Sequence, residues 1–427
     1  MFIRNHSMVR MLISLRGNPR ACVYTEPMWA IPFHLYMPFV SVYMAALMLS
    51  DRQIGIVASV FMLFRALGSF LSGALTDKLG RKRTTLIFDA ISWSVPTLLW
   101  AFSQNFWWFI AAAMFNGMGE VTHNSWNCML IEDADKSALV EIYAWVQISG
   151  LLAVFFAPLA GFLVGSLSII PAMRIMYLFA FVSMTLKFII LYKYCDETQV
   201  GMQRLEQTRS MSIPALISGY GAVARKLFAS PRMMTALLVV GVSSATTMIT
   251  NTFFGLYATR NLLMPEYYLA YFPIIRSAIM LVFLFVIQPK IASFGMKGPM
   301  TAGVMLYIIS YTLLIFLPAG NLWLLMLCIF LESCAIGLMW PRIFSIQALF
   351  IDPDERARLN SILSSVVFVA AIPFGYLSGW MSSIDGRLPF VAIIIIFAVQ
   401  FVVVLVSRSL KTENVRAIEA MHIGDAP

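Results

Sequence analysis

Five polar side chains recur at spacings of three and four residues along one apolar stretch: Asn116, Glu120, His123, Asn124 and Asn127. On a helix those spacings place them on one face. A carboxyl, an imidazole and three amides on one face can exchange a proton and hydrogen-bond a polar solute. Glu120 lies near the middle of its stretch and is the candidate for proton exchange. A charge inside lipid costs roughly 2.5–3.5 kcal/mol, so such residues mark sites until another role is found. Arg65, Arg276, Glu332 and Arg342 also lie inside apolar stretches, with Trp340 beside the last. Arg65 could pair with Glu120, and Arg276 with Glu332. Equally, the arginines could attract a carboxylate or phosphate on a solute. A milder stripe of Ser243, Thr247, Thr250 and Asn251 could line a site or bond its own helix backbone. Glu26 and His34 stand in the first apolar stretch and are ambiguous. Lys187, near the end of the sixth, is expected to snorkel to the surface. Asp89 is expected to serve the loop that precedes it.

These residues need apolar helices to carry them. Of 427 residues, 60% are hydrophobic and 12% charged, about half the charged share of a soluble domain. Lipid is the natural solvent for such a chain. Twelve stretches are long enough to cross a bilayer, which takes about 20 apolar residues. They run over 26–49, 54–76, 84–103, 106–131, 139–165 and 168–193, then 233–258, 268–291, 299–317, 322–350, 360–382 and 388–409. No alternating pattern suggests a barrel, and an open sheet cannot satisfy its backbone in lipid. The expected fold class is therefore all-α, with twelve transmembrane helices in two six-helix halves. The expected domains are 1–193, a cytoplasmic central loop over 194–232, and 233–427. Within the loop, residues 213–228 mix apolar and basic side chains and should lie on the membrane as an amphipathic helix.

Charge placement sets the expected orientation. With both termini inside, 22 of the 30 Lys and Arg residues fall in cytoplasmic segments, four in outer loops and four within spans. The excess of basic residues on one side favours that topology. The net charge of +9 is then a membrane signature, and no nucleic-acid partner is implied. The first stretch lacks a short apolar core with a small-residue cleavage site, so an uncleaved first span is expected. None of the five cysteines forms a CxxC pair, so neither a zinc site nor a disulfide framework is expected. No phosphate-binding G-x-x-x-x-G-K-[ST] occurs, which argues against ATP hydrolysis. Gly219-Tyr220-Gly221 follows no strand and is no dinucleotide fingerprint. No catalytic set is found, and neither cofactor nor metal is expected.

The halves share traces of a repeat. Ile131-Glu132-Asp133-Ala134-Asp135-Lys136-Ser137-Ala138-Leu139 returns 220 residues later as Ile351-Asp352-Pro353-Asp354-Glu355-Arg356-Ala357-Arg358-Leu359. Gly117 and Gly337 keep the same offset, and Pro158 and Pro373 one of 215. Repeated halves are typical of transporters, which rock one half against the other.

The most informative stretch joins the second and third spans: Gly73-Ala74-Leu75-Thr76-Asp77-Lys78-Leu79-Gly80-Arg81-Lys82-Arg83. Its glycines permit close packing and a tight turn, Asp77 can face a helix start, and its bases hold the loop at the cytoplasmic face. It resembles the signature loop of the major facilitator superfamily, and the whole chain resembles that family's six-plus-six plan. A degenerate copy, Gln288-Pro289-Lys290-Ile291-Ala292-Ser293-Phe294-Gly295-Met296-Lys297, sets Gly295 where Gly80 stands and Ala292 where Asp77 stands.

The resemblance implies a secondary transporter working by alternating access, with Gly73, Asp77, Gly80, Arg81 and Lys82 as a conformational latch. It further implies that Asp77 faces the start of span eleven near Asn360 and that Arg81 reaches Glu132 or Asp133. Spans one, four, seven and ten would line the cavity. Two family patterns are incomplete. Ala113 stands where a proton-linked Arg precedes Gly117, and the span-five motif survives as Ala144, Ala153 and Ala157-Pro158-Leu159-Ala160-Gly161-Phe162. The latter leans towards drug or metabolite antiport. The expected partners are a small polar or charged solute, protons or another coupling ion, and the bilayer of the cell membrane, with the chain a monomer. A multidrug or metabolite efflux antiporter is the alternative within transport, and a non-transporting receptor or sensor the alternative outside it.

Overall fold

The computed structural model describes residues 7–135, 138–218, 220–291, 294–350 and 356–407. Among these the chain is helical throughout, with no strand. Nine helical segments are long and apolar enough to cross a membrane among the described residues, from Asp51–Leu79 to Leu388–Val406. The stretches expected to span over 26–49, 84–103 and 106–131 are also helical, but interrupted. The first runs as Pro27–Tyr36, a 3-10 turn at Met37–Phe39 and Val40–Ala46. Pro38 lies inside that turn and has no N–H for the helix ladder. The second runs as Arg81–Asp89, a π turn at Ala90–Ser94 and Val95–Ala101, just before Pro96.

Contacts divide the chain into two units: Met1–Leu47 with Val60–Tyr220, and Met48–Ser59 with Gly221–Pro427. In the first, Ile169–Tyr194 packs along Pro27–Tyr36, and Arg81–Asp89 packs on Gly119–Ile131. Tyr36, Tyr43 and Tyr177 are fully buried at the centre, and Tyr36 and Tyr177 both lean on Trp100. In the second unit, Lys297–Ile315 packs on Leu322–Phe350 and Leu388–Val406, and Pro231–Arg260 on Arg356–Ile384. Tyr307 and Phe397 stack there at 4.3 Å. Large apolar side chains such as Phe162, Phe285 and Val402 stay exposed, as lipid-facing residues must.

The segment after Ile169–Tyr194 departs from expectation. Over 213–228 it forms two helices, Ile213–Ile217 and Tyr220–Ala229, where one was expected, and a further helix, Gln199–Thr208, precedes them. The polar helix Gln199–Thr208 has no apolar stripe to betray it, so periodicity misses it.

Candidate functional site

Arg65 and Glu120 are joined. The Arg65 Nε donates to Glu120 Oε1 at 2.9 Å, and Nη2 bonds the same oxygen. The approach depends on Gly117. A Cβ there would lie 2.5 Å from Phe64 Cβ and 2.9 Å from the Arg65 backbone nitrogen. Only a bare backbone lets Phe106–Gly117 come this close to Asp51–Leu79, which carries Arg65 to the acid one turn beyond Gly117. The Phe61 ring supports the guanidinium at 5.6 Å.

The second unit holds a deeper pair. Arg276 Nε and Nη2 donate to Glu332 Oε2 at 3.1 and 2.6 Å. Tyr311 donates to the other carboxylate oxygen at 2.8 Å, and Thr250 lies 2.7 Å from the Tyr311 hydroxyl. The Arg276 guanidinium lies 5.4 Å from the Phe254 ring. Four helices thus meet through one chain of polar groups. Thr250 is drawn in by its hydroxyl, while its stripe neighbours Thr247 and Asn251 are exposed. Ser243 bonds the carbonyl of Val239, its own helix.

The rest of the span-four stripe divides. Asn116 donates to the Ser92 carbonyl at 2.7 Å. Ser92 stands four residues before Pro96, whose nitrogen cannot donate, so Asn116 supplies a proton where the helix lacks one. Asn124 donates to Thr76 Oγ1 at 3.1 Å, and Asn127 accepts from the Tyr143 hydroxyl at 2.9 Å. His123 is exposed. The five polar groups share a helix face in sequence but reach towards different neighbours.

Arg342 has its own partners. It is 5% exposed and donates to the carbonyls of Leu338 and Ile291 at 3.0 and 3.2 Å. It thereby ties Leu322–Phe350 to the degenerate copy of the signature loop. Trp340 is exposed. Arg65 and Arg276 are thus held by carboxylates and Arg342 by carbonyls.

Lys187 does not snorkel. It is 7% exposed, its Nζ lies 2.8 Å from Glu26 Oε2, and the rings of Trp126 and Trp29 lie 5.2 and 5.8 Å away. The packing of Ile169–Tyr194 on Pro27–Tyr36 turns this lysine inward. Asp89, expected to serve the signature loop, accepts from the Thr122 hydroxyl at 2.8 Å and so binds the fourth stretch. Neither partner is close in sequence, so spacing had no means of joining Glu26 to Lys187 across 161 positions.

The signature loop is held within the first unit. Gly80 adopts φ +82°, which favours glycine. Gly295, its counterpart in the degenerate copy, has φ +67°. Arg81 bonds Glu132 through Nε and Nη2 at about 3.1 Å, and Asp77 at 3.0 Å. Burial alone would weaken its charge, but the adjacent Glu132 and Asp77 carboxylates hold the guanidinium above its ordinary pKa. The expected Arg81–Glu132 contact is therefore present, while Asp133 accepts from the Gln199 backbone. Lys82 sits 4.9 Å from the Tyr192 ring, and Gly73 leaves room for the Tyr220 hydroxyl. The expected partner of Asp77, the Asn360 side chain, lies outside the described residues, as does Ala292. So does much of the acidic repeat, at 136–137 and 351–355.

A second polar cluster was not foreseen. Inside the second unit, Asp51 accepts from Arg260 and Ser382, both at 2.7 Å, and Arg52 donates to Ser383 at 3.1 Å. Ser59 bonds the Ile372 carbonyl at 2.7 Å. Gly55, Gly375 and Gly379 let the backbones touch, since a Cβ at Gly379 would lie 2.6 Å from the Asp51 carbonyl. A cavity of about 500 Å³ opens beside them, lined by Arg260, Asn261, Asp385 and Arg387. The recurrence of small residues at 375 and 379 was the available signal, a small-xxx-small packing face.

"Multidrug resistance protein MdtG" of Serratia proteamaculans (strain 568) is 25% identical over 320 residues, covering 73% of this chain and 74% of that protein. The protein of the same name from Rahnella sp. (strain Y9602) is 28% identical over 135 residues, 30% of this chain and 32% of its own. Among solved structures, the nucleoside transporter NupG superposes with a TM-score of 0.68 at 17% identity, covering 95% of this chain and 99% of that one. A POT family transporter in complex with a thioalcohol-conjugated peptide superposes at 0.70 and 13% identity, covering 93% and 98%. At such identities the structures attest the fold alone. The model of the Major Facilitator Superfamily itself matches residues 30–318. That match takes in the signature loop, the Arg65–Glu120 pair and Arg276, and on it this multi-pass membrane chain belongs to the Major Facilitator Superfamily of small-molecule transporters.

Proposed function

We propose that the chain is a secondary active transporter that moves a small solute by alternating access, coupled to protons. The observation that carries this reading is two Arg–Glu couples, one in each unit, on helices read as membrane-spanning. Charges are kept in lipid at a cost and serve pathways or relays. Glu120 and Glu332 are the groups proposed to exchange protons, each beside an arginine that can hold the carboxylate when the proton leaves. The solute is small and polar or charged. The chain sits as a monomer in the inner membrane with both termini in the cytoplasm, as the distribution of Lys and Arg favours.

A second reading concerns direction and cargo. The relatives from Serratia and Rahnella bear the name multidrug resistance protein, and the three intramembrane arginines already have partners within the chain. Both favour an efflux antiporter for amphipathic compounds. The test is flux in proteoliposomes, with candidates drawn from a thermal-shift screen of metabolites and drugs. Solute movement that follows an imposed pH gradient and collapses with a protonophore is expected. Failure to move any stabilising compound under any gradient overturns transport. Flux indifferent to the protonophore overturns proton coupling.

A further inference from the structure

The segment that follows Ile169–Tyr194 is bound to both ends of the signature loop by charge. Glu197 reaches back to the start of Arg81–Asp89. Its Oε1 accepts from the Arg81 backbone N–H at 2.8 Å, and its Oε2 from that of Lys82 at 3.1 Å. The first N–H groups of a helix lack partners in their own helix, and that end attracts an anion. The local cap residue is Gly80, which has no side chain to offer, so the cap comes from 116 positions away. At the other end the roles reverse. Lys78 Nζ donates to the carbonyls of Thr208, Arg209 and Met211 at 2.9, 2.9 and 2.6 Å. These close the C-terminus of Gln199–Thr208, where a cation is favoured. Thr208 Oγ1 donates to the Asp77 carbonyl at 3.0 Å, and Thr198 bonds Glu132, the partner of Arg81.

Two glycines permit the fit. A Cβ on Gly201 would lie 2.0 Å from Glu197 Oε1 and 2.9 Å from Arg81 Cδ, and one on Gly80 would lie 2.6 Å from Glu197 Oε2. Thr198 and Thr208 are 0% and 4% exposed. A merely solvated connector would show none of this. The position in the chain adds a reason. The longer stretch of the second unit begins at Gly221, so only residues 212–220 join this segment to it. Nine residues are a short tether, at most about 30 Å even fully extended, so displacement of the second unit pulls on the segment.

We propose that residues 196–211 form a clamp that sets the position of the signature loop during the transport cycle, with Glu197 and Lys78 as positioning residues at its two ends. This rests on the alternating-access reading. The clamp holds the loop while docked, and the tether releases it when the halves move.

The test uses the full chain in lipid nanodiscs, as Glu197→Gln and, separately, Lys78→Met. Amide exchange over residues 80–85 and 199–208 reads the docking. Spin-label distances between Gln104→Cys and Ala319→Cys, in outer loops of the two halves, read the conformational populations. Each variant should speed exchange in both segments about tenfold, the scale of losing one charge-assisted hydrogen bond. Exchange in Ile169–Tyr194 should stay unchanged, which shows that the bundle is folded. Both variants should shift the ratio of distance populations in the same direction, and Glu197→Asp should restore part of it. Faster exchange with unmoved populations would make the clamp a structural brace only and overturns the proposal, as does unchanged exchange. Absence of solute flux in wild type overturns the transport reading and leaves the exchange and distance outcomes to decide the clamp.

Discussion

Arg276 places two nitrogens on one oxygen of Glu332 and leaves the other oxygen to Tyr311. The carboxylate is therefore satisfied on both sides in a site where its side chain is 9% exposed. Arg65 and Glu120 are less buried, at 31% and 19%. The two couples have nearly equal sequence separations, 55 and 56, but different levels. Glu120 follows Gly117 by three residues, whereas Glu332 precedes Gly337 by five. Aligned on those glycines, the acids differ by eight residues, or about 12 Å of helix.

That difference sets a ranking of stability. Glu332→Gln leaves Arg276 charged and unpaired in the interior, and breaking a buried pair costs about 3–5 kcal/mol. Glu120→Gln should cost less, because that pair is less buried. Thermal unfolding in one detergent compares them. Equal losses would show that the Tyr311–Thr250 chain adds nothing.

Transport should rank them differently. Glu120→Gln is expected to keep solute binding, read by thermal shift, while solute flux loses its response to a pH gradient. A variant that still follows the gradient as wild type does removes Glu120 from the coupling role.

Lys187 supplies a test of burial. Lys187→Met strands the Glu26 carboxylate among apolar groups, again a loss of about 3–5 kcal/mol. The double variant Glu26→Gln with Lys187→Met should recover the share that belongs to the stranded Glu26 charge, while nearby Asp89 still loses the Lys187 cation. A snorkelling lysine would show a small loss and no recovery, so the double-mutant comparison decides.

The glycines of the second unit differ in what surrounds them. Gly379→Ala forces a Cβ within 2.6 Å of the Asp51 carbonyl, and overpacking of this kind costs about 1–3 kcal/mol. Gly241→Ala meets nothing within 4 Å in the helix Pro231–Arg260. It should stabilise by up to about 1 kcal/mol, since alanine is the better helix former. Melting temperatures that move the same way in both would contradict the packing.

Asp51→Asn should weaken the same region only slightly. Arg260 is 47% exposed, and solvent screening limits such a pair to about 0–1 kcal/mol. The remaining effect comes from the bond to Ser382. A loss that is insensitive to salt would assign the larger share to Ser382.

Periodicity and length alone determined that this chain lives in lipid as helices, because a backbone there must bond itself. The run from Gly73 to Arg83 determined the family, and the left-handed turns at Gly80 and Gly295 follow from residues that only glycine replaces cheaply. Candidate pairs were legible wherever two opposite charges stood within apolar stretches, as with Arg65 and Glu120. Sequence could not say where each polar group on one face would point, since that depends on which neighbour lies opposite. Tertiary packing sent Asn116 to a carbonyl left by Pro96 and Arg342 to the end of a loop, and it turned Lys187 inward to Glu26. It also placed Glu197 on a helix start 116 residues earlier. The Glu197 pairing needs the bare backbones of Gly80 and Gly201, as Arg65 with Glu120 needs that of Gly117, close approaches that no spacing along the chain records.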